Sequence, residues 1–127
     1  MNRSTFMLAM AWFHLVAGAF FLFSTQRATE FIFCFPEPTH RLLMVGLGAV
    51  VSVFGLMNYL ARNSEDSQAL RALLLGTTFY LFFTVAFDVY WTLHGSIKPI
   101  AWISIALRTA FASMYIHFIT RMRIRER

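Results

Sequence analysis

Apolar residues occupy four stretches of this chain, each close to the length of a membrane span and each separated from the next by polar or charged breaks. The stretches cover about residues 5–23, 42–61, 69–93 and 100–120. A hydrocarbon core of about 30 Å takes about 20 helical residues at 1.5 Å each, so every stretch can cross. Backbone N–H and C=O groups find no water in lipid and must be satisfied within the segment, which predicts helices rather than strands. The expected fold is all-α: a polytopic membrane protein, a four-transmembrane-helix bundle forming a single domain over residues 1–127, with a basic tail at 121–127.

The breaks carry their own chemistry. Residues 63–67 supply capping side chains for the third span, and Glu65 with Asp66 is expected in its first turn, where the helix dipole favours anions. His94-Gly95 should end that span, and Pro99 suits the first turn of the fourth. The connection over 24–41 is longer and contains Phe31-Ile32-Phe33-Cys34-Phe35 before Pro36 and Pro38. So apolar a segment reads as an interfacial or re-entrant loop lying on the bilayer, with Thr39 as the cap of the second span.

Charge then orients the chain. With four crossings, Arg3, Arg62, Arg71, Arg121, Arg123, Arg125 and Arg127 fall on one side, and Arg27, Arg41 and Lys98 on the other. The excess of basic residues marks the cytoplasmic side, so both termini are expected there. The first span lacks a small-residue cleavage site and reads as uncleaved. The net charge of +5 does not point to nucleic acid, because four of the arginines crowd the last seven residues directly after an apolar span. Arg121, Arg123, Arg125 and Arg127 are placed to meet anionic lipid headgroups, at about 1 kcal/mol each near the surface.

Composition agrees. The sequence is 58% hydrophobic and 13% charged, where a soluble domain carries about 25% charged residues. There is too little charge here to dress a water-exposed surface, and the single Cys rules out a disulfide scaffold.

Two charges lie inside spans: Asp88 in the third and Arg108 in the fourth. A lone charge at mid-bilayer costs about 2.5–3.5 kcal/mol on insertion scales, so such residues turn inward and find partners. A short-looped antiparallel hairpin makes these spans neighbours, with Asp88 ~7 Å and Arg108 ~12 Å from their outer ends. An Asp88–Arg108 ion pair is expected, and His14, ~13 Å deep in the first span, is a third candidate. Thr77, Tyr80, Thr84, Asp88 and Trp91 share one face, as do Met7, Ala11, His14 and Gly18. Gly48, Ser52 and Gly55 give the second span a small-residue face suited to close helix approach. The cluster of His14, Thr84, Asp88, Trp91 and Arg108 reads as a structural clasp, as a polar pocket for a lipid or quinone headgroup, or as a path for ions or protons.

On the fourth span Ala106, Ala110, Ser113 and His117 form a second stripe, mostly pointing away from Arg108. Small residues gain nothing by packing against lipid, so this stripe reads as an interface for a partner subunit or as tolerated small residues. Other chemistry finds little support. Axial haem ligation needs two His at similar depth, yet His14 lies ~12 Å and His117 ~5 Å from the cytoplasmic ends of their spans. No metal-ligand spacing, phosphate loop, nucleophile motif or paired carboxylates occur, and neither a cofactor nor a metal is expected.

The layout resembles bacterial four-helix membrane proteins of the DoxX-like type. The resemblance rests on Phe35-Pro36-Glu37-Pro38 leading into Arg41, on Val45-Gly46-Leu47-Gly48 in the second span, and on a tight turn from Gly95 to Pro99. Members of that type carry a basic residue on the third span and an acid on the fourth, the reverse of the order here. The resemblance implies the fold and a bacterial inner membrane, and it carries no catalytic site. Small multidrug transporters share the span count and length but rely on an acid in the first span, where this chain has none. The expected function is that of a non-enzymatic accessory or assembly subunit of a larger membrane complex, with membrane lipids and other membrane subunits, or further copies of itself, as partners. The alternatives are a binder of a lipid-like ligand or quinone, and a small oligomeric transporter.

Overall fold

A computed structural model describes residues 2–122 of the chain; Arg123, Arg125 and Arg127 lie outside the described residues. Four helices are long and apolar enough to cross a membrane, the architecture of a multi-pass membrane protein. The chain forms two compact units, residues 1–63 and 64–127, each of them helical.

The first unit contains α1 (Arg3–Phe23), α2 (Thr25–Ile32) and α3 (Pro38–Ala61). Asn2 caps α1 by accepting from the Thr5 N–H at 2.8 Å. Helices α1 and α3 run antiparallel and meet along small residues. A methyl group on Gly18 would lie 2.2 Å from Ser52 Oγ and 2.9 Å from the Gly48 carbonyl oxygen. One on Gly55 would lie 3.0 Å from the Leu15 nitrogen and 3.1 Å from the Ala11 carbonyl oxygen. The expected faces Met7–Ala11–His14–Gly18 and Gly48–Ser52–Gly55 are thus the ones that pack, with backbones closer than any larger residue would permit. Ser4 Oγ donates to Asn63 Oδ1 at 2.8 Å and ties the far end of the pair.

The connection over 24–41 departs from the expected loop. Its first part is the short helix α2, whose Ala28 and Thr29 are buried while Gln26, Arg27, Glu30 and Phe31 are exposed. Thr29 Oγ1 donates to the Thr25 carbonyl at 2.8 Å and Gln26 to Glu30 Oε1 at 2.9 Å, so local side-chain bonds sustain the turn. Helix α3 then begins at Pro38, earlier than the apolar run alone suggested, because proline at N1 needs no hydrogen-bond partner for its nitrogen. Glu37, not Thr39, occupies the N-cap position. The Glu37 N–H donates to His40 Nδ1 at 3.1 Å, the backward half of a capping box, and the His40 ring stacks on Phe33 with centroids 4.0 Å apart.

The second unit is a hairpin of α4 (Gln68–Leu93) and α5 (Ala101–Arg121). Ser67 caps α4, its Oγ accepting from the Leu70 N–H at 3.2 Å. Glu65 and Asp66 precede that cap and do not enter the first turn, because the hydroxyl closest to the apolar run takes the N-cap position. His94-Gly95 ends α4 as expected. Gly95 has φ +75°, its N–H donates to the Thr92 carbonyl at 3.1 Å, and the Ser96 N–H donates to the Trp91 carbonyl at 3.0 Å. These bonds make a Schellman motif, which needs a left-handed residue after the cap. Pro99 lies two residues ahead of α5 rather than in its first turn. It belongs to a tighter lead-in, in which the N–H groups of Ala101, Trp102 and Ile103 donate to the carbonyls of Lys98, Pro99 and Ile100. Leu70, Leu74 and Leu81 of α4 and Ile105, Ala112, Tyr115 and Ile119 of α5 are buried.

Candidate functional site

Apolar faces bring α4 and α5 together, and their polar residues fall into line as a consequence. Arg108 Nη2 donates to Asp88 Oδ2 at 2.5 Å, so the ion pair expected from matching depths is present. Asp88 lies five residues before the end of α4 and Arg108 seven residues after the start of α5, ~7 and ~10 Å along their helices. Both side chains retain some exposure, 16% for Asp88 and 22% for Arg108. Ser104, one turn before Arg108, accepts from its Nε at 3.2 Å and its Nη2 at 2.8 Å. A guanidinium has five N–H donors, and these bonds use the Nε hydrogen and both on Nη2. Among the described residues nothing accepts from Nη1 or donates to Asp88 Oδ1.

Thr84 is on α4 one turn before Asp88, but its hydroxyl donates to the Leu81 carbonyl at 3.0 Å within its own helix. Trp91 is exposed and makes ring contacts with Phe87 and Tyr90, both on α4. His14 belongs to the first unit, where it is buried, with Nδ1 2.8 Å from the Met10 carbonyl oxygen. Asp88, Arg108, Thr84 and Trp91 all belong to the second unit.

Ala106, Ala110, Ser113 and His117 are all exposed on α5. At ~100° per residue their stripe lies on the far side of the helix from Ile105, Ala112, Tyr115 and Ile119. The Ser113 hydroxyl bonds the Thr109 carbonyl at 2.9 Å, which folds it against the helix and leaves that surface shallow. Arg121 sits in the last turn of α5, where a cation complements the helix dipole. Among the described residues, no group of three or more His, Cys, Asp or Glu side chains could hold a metal ion.

Three further polar features matter that the sequence pattern does not single out. Ser104 was signalled only by its i, i+4 spacing to Arg108. Asn58 is fully buried in α3, with Nδ2 donating to the Phe54 carbonyl at 2.8 Å. Thr92 has a buried hydroxyl oxygen without a hydrogen-bond partner among the described residues. Set against protein-family models, curated proteins and solved structures, the chain matches none of them.

Proposed function

We propose that this chain is a non-enzymatic subunit of a larger membrane assembly, docking on another membrane protein through the Ala106–Ala110–Ser113–His117 face of α5. The observation that carries this reading is the division of α5 into two opposite faces. One is buried with α4, and the other is small, polar-tipped and open. In lipid there is no hydrophobic drive between helices, so close association depends on flat surfaces that let backbones approach. The α1–α3 seam of the same chain uses that chemistry internally.

In this reading the protein sits in a bacterial inner membrane with both termini cytoplasmic, as the excess of Arg on that side favours. Arg121, with Arg123, Arg125 and Arg127 beyond it, holds anionic headgroups there. The test is purification of the tagged protein in mild detergent, followed by a native gel and mass spectrometry of what accompanies it. The wild type should run in a larger complex that the A110L/S113L variant loses while its own hairpin stays folded. Wild-type protein migrating alone, or a variant that assembles as before, would sink the proposal.

A second reading, a site for a lipid-like ligand, is favoured by the unused hydrogen-bonding capacity of the Asp88–Arg108 pair.

A further inference from the structure

We infer that the turn end of the α4–α5 hairpin binds the uncharged, hydroxyl-bearing head of an amphiphile, held between Arg108 Nη1 and Asp88 Oδ1 and read by Thr92. This inference rests on the second reading above, and it specifies both the chemistry of the head and its orientation.

Arg108 spends its Nε and Nη2 donors on Ser104 and Asp88, so Nη1 presents two N–H groups with no protein acceptor among the described residues. Asp88 uses Oδ2 and leaves Oδ1 as an unmatched acceptor. The two groups belong to side chains that the Nη2–Oδ2 bond already joins. In water such leftovers would be hydrated at no cost. Inside an apolar span each requires a partner, because unsatisfied polar groups in a low-dielectric setting are expensive.

The antiparallel register adds a third group. With Asp88 opposite Arg108, the residue one turn further along α4 is level with the residue one turn earlier on α5. Those residues are Thr92 and Ser104. Thr92 also lies on the Asp88 side of α4, four residues on, and its hydroxyl oxygen is buried and unpartnered among the described residues. A buried hydroxyl without a bond is costly, and a ligand oxygen that reached this one would recover that cost.

Charge selects the ligand. The pair is neutral as a unit, so a phosphate approaching Nη1 meets the Asp88 carboxylate, and an ammonium approaching Oδ1 meets the guanidinium. An uncharged head carrying an oxygen acceptor beside a hydroxyl satisfies both, the acceptor taking an Nη1 hydrogen and the hydroxyl donating to Oδ1. Trp91 and Leu107, exposed on the two helices beside the charged residues, offer an apolar rim for the attached chain. Diacylglycerol-type lipids and lipophilic quinols share this head chemistry.

The test is native mass spectrometry of the full-length protein in mild detergent, mixed with equal amounts of dioleoylglycerol, a decyl-substituted benzoquinol and dioleoylphosphatidylglycerol. The wild type should retain one neutral probe per chain at least ten times better than phosphatidylglycerol, and the neutral probe retained identifies the source. T92V should lower that retention about tenfold, roughly the worth of one hydrogen bond, with its melting temperature unchanged or raised. D88N leaves Arg108 unbalanced and should transfer the preference to phosphatidylglycerol. Should D88N fail to fold, T92V and S104A decide the matter, each expected to weaken retention in a folded protein. A wild type that retains phosphatidylglycerol as well as the neutral probes, or that retains none, overturns the inference. So does a T92V protein that binds unchanged, or a folded D88N protein that keeps the neutral preference. Assembly through α5 is read on a separate gel with different variants, so either idea can fail without the other.

Discussion

Removing one member of the Asp88–Arg108 pair strands the other charge in an apolar helix, whereas removing both leaves two uncharged amides. Asp88→Asn or Arg108→Gln alone should therefore cost about 2–4 kcal/mol, somewhat under the range for fully buried pairs because both side chains keep some exposure. The D88N/R108Q double variant should cost less than either single change, a non-additivity that a double-mutant cycle in denaturant titration reads directly. An additive result would show that the pair does not act as a unit. The pairing itself was legible in the sequence, because helix rise converts residue number into depth and a short turn makes two spans neighbours. The supporting residues were not. Ser and Thr are common in spans; the i, i+4 spacing to Arg108 marks Ser104, but nothing in the string distinguishes Thr92 from Thr109 or Thr120. Only the register of two packed helices sets Ser104 and Thr92 level with each other and beside the charges.

Glycines separate into classes at the scale of the helix. Gly18 faces Ser52 and the Gly48 carbonyl across the α1–α3 seam, so Gly18→Ala forces backbones apart and should cost about 1–3 kcal/mol. Gly46 has open space where a methyl group would go, and Gly46→Ala should leave stability unchanged or raise it by up to about 1 kcal/mol. Gly95 also has room, but its φ of +75° is strained for any residue with a Cβ, and Gly95→Ala should cost about 1–2 kcal/mol through the Schellman turn. Thermal or denaturant unfolding of the three variants checks the order; a Gly46→Ala protein as weak as Gly18→Ala would contradict it. Element positions were readable from hydropathy within a few residues, and His94-Gly95 marked a terminus outright. Helix α2 was not readable, since eight residues are too few for periodicity and its stability comes from Thr29 and Ala28 being buried. The start of α3 moved for a related reason: its cap is built from Glu37, His40 and the Phe33 ring, three residues joined only by the folded corner.

For the whole molecule, the single cysteine is a ready reporter of orientation. Cys34 follows α2 in the connection that the distribution of Arg and Lys assigns to the outer side, and it is half-buried. A membrane-impermeant maleimide applied to intact cells should label the wild type and leave Cys34→Ala unlabelled, while a cysteine at Ser64 in the Cys34→Ala background should label only after permeabilisation. The reverse pattern would invert the topology. The string of residues by itself determined that the chain is helical, where its four spans lie and which two charges stand inside them. Each of those follows from local arithmetic: the length of an apolar run, the rise per residue, and the cost of a charge in lipid. Tertiary structure alone decided how closely α1 approaches α3, that a helix occupies the first connection, and which atoms of Asp88, Arg108 and Thr92 remain without partners among the described residues. Those outcomes depend on the register and separation of two packed helices, which are set by many weak contacts at once and are written in no single stretch of sequence.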